Sequence, residues 1–106
     1  MRTHYYHDER DPRLGIVIIP EIETEIEVST RLDGGELVMT VDDVFVGGKS
    51  LLDGYQVTLE LAYRIIDAAQ AEIDRHGPLF ERVRDAEGWS LSRLPNDPDT
   101  RWIRSE

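Results

Sequence analysis

The chain has 106 residues, 40% of them hydrophobic, and no cysteine: enough for one domain with a thin core, without disulfides or thiolate metal sites. Its 22 acidic residues outnumber 12 basic ones, for a net charge of -10. That excess opposes direct contact with nucleic acid or an anionic membrane, and it favours basic protein partners.

Residues 1–13 are polar and charged and read as an irregular N-terminal arm, not as a secretory signal. No apolar run approaches the ~18 residues of a membrane span, so a cytoplasmic protein is expected. His4 and His7, with Asp8 and Glu9, have the ligand chemistry for a metal ion. Nothing in the arm orients them, and oriented ligands are what a metal site requires, so no metal or other cofactor is expected.

The domain proper is read over residues 14–88. Leu14 to Ile19 is a short apolar run that Pro20 closes, which suits a strand with proline at its end or on an edge. From Glu21 to Leu32 the period is two. Ile22, Thr24, Ile26, Val28, Thr30 and Leu32 fall on one face, and Glu21, Glu23, Glu25, Glu27, Ser29 and Arg31 on the other. That is a strand with one side buried and one in water. Asp33-Gly34-Gly35 turns the chain into a returning strand, Glu36 to Val46. Pairing Leu32 with Leu37 puts Met39 and Val41 on the buried face, and a bulge at Asp42-Asp43 restores the pattern for Val44 and Val46.

Thr58 suits an N-cap for a helix running to about His76, with Leu59, Ala62, Tyr63, Ile66, Ala69 and Ile73 as its apolar stripe. Glu60, Arg64, Asp67 and Asp74 lie opposite, and Gly77 and Pro78 mark the end. Leu61, Ile65 and Ala68 widen the apolar surface beyond one stripe. Either the C-terminal tail, through Trp89 and Trp102, or a second copy in a homodimer should cover them. Pro78 opens a short second helix docked by Leu79, Phe80 and Val83 and ending near Gly88. Residues 89–106, with Pro95 and Pro98, read as an extended tail packing on the domain. The expected fold is therefore α+β: a small antiparallel sheet of two or three strands on one main helix, with a short second helix and a tail.

Catalytic patterns are weak. Val46-Gly47-Gly48-Lys49-Ser50 resembles the end of a phosphate loop, but Asp43 stands where the pattern needs glycine, and its carboxylate would repel phosphate. Asp97 and Asp99 lack the spaced acidic pattern of a calcium loop. Ser50, Ser90 and Ser92 have no recognisable base nearby. No enzyme class is indicated.

The acidic ladder is the distinctive feature. Between Glu21 and Val46 stand eight acidic residues and one basic residue, Arg31, a local charge of -7. Alternate residues on a strand are spaced by ~6.7 Å, comparable to successive phosphates of a nucleic-acid strand. Glu21, Glu23, Glu25 and Glu27, with Asp42 and Asp43, are thus candidates for binding a basic protein surface. The competing reading is a solvated strand face whose charges prevent aggregation.

The order of elements, with the run Glu21-Ile22-Glu23-Thr24-Glu25-Ile26-Glu27-Val28 before a second strand and an amphipathic helix, resembles small acidic accessory proteins of phages and prophages. These include anti-CRISPR and anti-restriction inhibitors that mimic DNA. The resemblance covers roughly Glu21 to Gly77 and rests on layout, so it assigns no site residues. It implies an inhibitor of a host protein that binds nucleic acid. The alternative from the residues alone is a small homo-oligomeric assembly protein.

Overall fold

Alternation of side chains and two Gly-Gly turns carry the N-terminal half of the chain through an antiparallel meander. The computed structural model describes residues 1–11, 13–54, 56–91 and 101–104. Strands β1 (Arg2–Arg10), β2 (Val17–Asp33), β3 (Glu36–Val46) and β4 (Lys49–Ser50) form one sheet in that order. Helices α1 (Gln56–Asp74) and α2 (Pro78–Ala86) follow, then the small pair β5 (Trp89–Leu91) and β6 (Trp102–Arg104). The fold is α+β, as its sequence implies.

The central hairpin has the expected register. Leu32 pairs with Leu37 across Gly34 and Gly35, both at positive φ, the geometry of a two-residue hairpin turn whose twist matches the strands. The shift between Glu27 and Val28 leaves Asp42 as the extra residue of β3, so Val41 and Val44 share one face, whereas Val46, at the sheet's end beside the turn into β4, stays exposed. Gly47 and Gly48 repeat the positive-φ turn into β4.

Residues 2–10 are not an irregular arm. They form β1, paired with β2 from Arg2↔Glu27 to Arg10↔Val17. The alternation there is between polar residues: Thr3, Tyr5 and His7 turn inward, and Arg2, His4 and Tyr6 outward. Hydrophobic periodicity cannot reveal such a strand; the free edge of β2 does. Nor does Pro20 close a separate strand. β2 runs through it, with Pro20 and Glu21 as an extra pair opposite Asp8, and Asp8 Oδ1 accepts the Glu21 N–H at 2.9 Å. Glu21 takes φ 48° there, a strained value for a non-glycine residue.

One core joins the layers. Ile26, Val28, Met39, Val41 and Val44 of the sheet meet Ala62, Ile65, Ala69 and Ile73 of α1, and Leu79, Phe80 and Val83 of α2. The buried stripe of α1 is rotated from the expected one: Ile65 is 0% exposed, whereas Tyr63 is 57% exposed. The helix starts at Gln56, so Thr58 lies inside it and is not its N-cap. At its end His76 N–H bonds Ile73 O and Gly77 N–H bonds Glu72 O, and His76, not Gly77, takes the left-handed conformation (φ 54°). The His76 ring stacks on Phe80 at 4.2 Å.

Gln70 ties α1 to the edge of β3. Its Oε1 accepts the Val41 N–H at 2.9 Å, and its Nε2 donates to Met39 O at 2.9 Å. Because β4 pairs only with Phe45 and Val46, this amide satisfies backbone groups that β3 would otherwise leave open beside the core. Trp102 meets Phe80 edge-on at 6.2 Å, and Trp89 Nε1 donates to Thr30 Oγ1 at 3.0 Å. The prolines and Asp97 and Asp99 of the tail lie outside the described residues.

Candidate functional site

The outer face of the sheet, turned away from the helices, gathers side chains from three strands. The register sets Arg2, Glu27 and Asp43 in one row, His4, Glu25 and Phe45 in the next, and Tyr6 beside Glu23 in a third. The ladder is thus real as geometry, but its rungs are unequal. Glu27 lies 3.4 Å from Arg2 Nε and 3.3 Å from the Met1 amino group, so its charge is compensated within the chain. The Arg2 guanidinium also covers the Phe45 ring, at 3.8 Å. Asp43 is half-buried and engaged: both carboxylate oxygens accept the Ser50 hydroxyl at 2.9 Å, and Oδ1 accepts the Val44 N–H at 2.7 Å. It fastens β4 to β3, which is sufficient reason for an aspartate beside the Gly47-Gly48 turn.

Glu21 leaves the ladder through its positive φ in the bulge, and Asp42 is exposed as the extra residue of the other bulge. The structure therefore narrows the six candidates to Glu23 and Glu25 as outward rungs without a cationic partner among the described residues, with Glu21 and Asp42 at the margins. Glu23 and Glu25 line a shallow depression of about 270 Å³ together with His4, Thr24, Phe45, Gly47 and Gly48. Two carboxylates, an imidazole and an aromatic ring beside open glycine backbone suit the end of an arginine or lysine side chain.

A second site was not legible in the sequence because it needs β1. A groove of about 540 Å³ runs between β1 and α1, lined in part by Tyr5, His7, Glu9, Arg64 and Arg75. His7 is 6% exposed, and its Nε2 lies 2.9 Å from Glu9 Oε2, while Arg64 Nε donates to Glu9 Oε1 at 2.8 Å. Each oxygen of the Glu9 carboxylate thus has its own nitrogen partner, which pins β1 to α1. Burial, with Glu72 and Asp8 nearby, raises the Tyr5 hydroxyl above its ordinary pKa. Among the described residues no serine, threonine or cysteine lines this groove.

His4 and His7 point to opposite faces of β1, and among the described residues no cluster of histidine and carboxylate side chains has the geometry to hold a metal ion. Leu61, Ile65 and Ala68 do not form an open association face. Ile65 lies in the core, Leu61 packs against it, and Ala68 lines the groove with β1. No helix is long and apolar enough to cross a membrane, as far as the described residues go. Comparison of the chain with known protein families, characterised proteins and solved structures finds no significant match in any of the three.

Proposed function

We propose that this protein acts by binding, not by catalysis, and that its outer sheet face docks a basic surface of another protein. The observation that carries this reading is the depression in which Glu23 and Glu25 flank His4 and Phe45. Among the described residues neither glutamate has an ion-pair partner, in contrast to Glu27, and neither fastens strands as Asp43 does. A net charge of -10 steers basic partners towards the molecule, and the paired carboxylates supply local selectivity. The resemblance in layout to small acidic phage inhibitors fits this reading: the natural target is then a host protein whose groove accepts phosphates.

An oligoarginine peptide is a direct probe. Titration at two ionic strengths should show binding that weakens with salt. The Glu23→Gln, Glu25→Gln variant should bind several-fold more weakly. A variant of equal net charge altered at the far turn, Asp33→Asn with Glu36→Gln, should bind nearly as wild type. Equal losses in both variants would reduce the interaction to overall charge and remove the site.

A further inference from the structure

Beyond Ile22 the β1–β2 pair leaves the four-stranded body. β3 pairs with β2 only from Glu25 onward, so the preceding part of β2 has one free edge. The two strands continue as a ribbon whose tip includes residues 11 and 13–16, and the molecule measures 52 Å along its longest axis against 29 and 21 Å across. Among the described residues the ribbon carries the most exposed apolar run: Leu14 is 71% exposed, Ile16 58%, Ile18 57% and Ile19 51%. Monomeric soluble proteins rarely leave such a contiguous patch without a use.

The tip is a built structure. Asp11 Oδ1 accepts the N–H groups of Arg13 and Leu14 at 2.7 and 3.0 Å, and Gly15 N–H bonds Asp11 O at 2.8 Å. Arg10 Nη1 donates to Gly15 O at 3.0 Å, closing the turn from the other side. These bonds hold Leu14 and Ile16 outward. The C-terminal strands do not reach them: Trp89 bonds Thr30, a further 12 residues or ~40 Å along β2 from Ile18.

We infer that the tip of this ribbon is a self-association surface, at which the apolar run of β2 lies antiparallel against the same run of a second copy. The charge pattern selects this occupant. Arg13 precedes the run, and Glu21 and Glu23 follow it. Arg13 stands in the tip turn and Glu21 and Glu23 at the base of the ribbon, so an antiparallel apposition sets the basic end of one copy beside the acidic end of the other. A parallel apposition would set like charges against each other. Valine and isoleucine side chains of the same run meet in the middle, so one patch serves both copies, as a two-fold axis requires. Backbone pairing is confined to Ile16 through Ile19, because Pro20 has no N–H to give. The side chains on either side of that short ladder supply the rest of the contact. This association leaves His4 and Glu25 uncovered but shares Glu23 with the depression of the basic-partner reading, so the Ile18→Lys variant, which leaves that depression intact, separates the two.

The test is sedimentation of the full chain across a dilution series, with wild type expected as a monomer–dimer equilibrium. Ile18→Lys should weaken the dimer by about tenfold or more, since it places a charge at the centre of an apolar contact. Arg13→Glu should weaken it by roughly fivefold, and adding Glu21→Arg and Glu23→Arg to that variant should restore it. Circular dichroism checks that the exposed positions leave the fold unchanged. A wild type that stays monomeric at every concentration overturns the inference, as does a dimer indifferent to Ile18→Lys. A monomer that instead sediments with phosphatidylglycerol vesicles would assign the tip to lipid, also against the proposal.

Discussion

Adjacent isoleucines on α1 offer the sharpest test of the packing. Ile65 is 0% exposed within the cluster that joins sheet, α1 and α2, while Ile66 is half-buried at its margin. Truncating Ile65 to alanine removes its transfer free energy and leaves a cavity that close-packed neighbours fill only in part, a loss of ~2–5 kcal/mol. Ile66→Ala surrenders only part of its burial and opens no enclosed space, so about 1–2 kcal/mol is expected. A domain of this size has a total stability of about 5–15 kcal/mol, so the first loss is a large share of it. Urea unfolding followed by circular dichroism reads both. With a slope of ~1–3 kcal/mol per molar, Ile65→Ala should lower the midpoint by on the order of 1–2 M and Ile66→Ala by less than half of that. If Ile66→Ala costs as much as Ile65→Ala, the helix faces the sheet along another stripe and the account of the core is wrong.

Two further perturbations probe ties between layers. Gln70→Ala strips the partners from Val41 N–H and Met39 O beside the core and should cost about 1–3 kcal/mol, whereas Asp67→Ala, at an exposed position of α1, should move stability by less than about 0.5 kcal/mol; equal costs in the same titration would show that the Gln70 amide does not seal the edge of β3. Burial raises the Tyr5 pKa in the folded state, so the unfolded chain releases this proton first. The resulting stability is intact below the ordinary tyrosine value of about 10 and is lost as pH rises through the higher folded-state value. Urea midpoints measured from neutral to alkaline pH should therefore fall less steeply for Tyr5→Phe than for wild type, and identical slopes would rule out this contribution.

Local patterns determined the central hairpin. Ile26 and Val28 alternate with glutamates, Gly34-Gly35 supplies the positive φ the turn needs, and the consecutive aspartates 42 and 43 announce the bulge that returns Val44 to the core. The second helix was equally legible, because Pro78 starts it and Leu79, Phe80 and Val83 dock it. These features act over a few residues, so the chain carries them without reference to distant partners. The acidic ladder was legible as a row of carboxylates, but its division was not. Whether Glu27 is neutralised depends on Arg2 from another strand, and whether Asp43 is occupied depends on Ser50 across a turn. The N-terminal strand was hidden for a related reason. Its inward side chains, Thr3, Tyr5 and His7, are polar, and the first two become half-buried and the last buried only because β2 offers an edge and α1 offers Arg64 to hold Glu9. The rotation of the α1 stripe towards Ile65 was likewise set from outside, by the position of the sheet and α2, since apolar residues on both sides of the stripe left the helix free to face either way. Alternation and turn chemistry are properties of neighbouring residues and so belong to the sequence; compensation of charge and choice of face are properties of residues brought together by the fold.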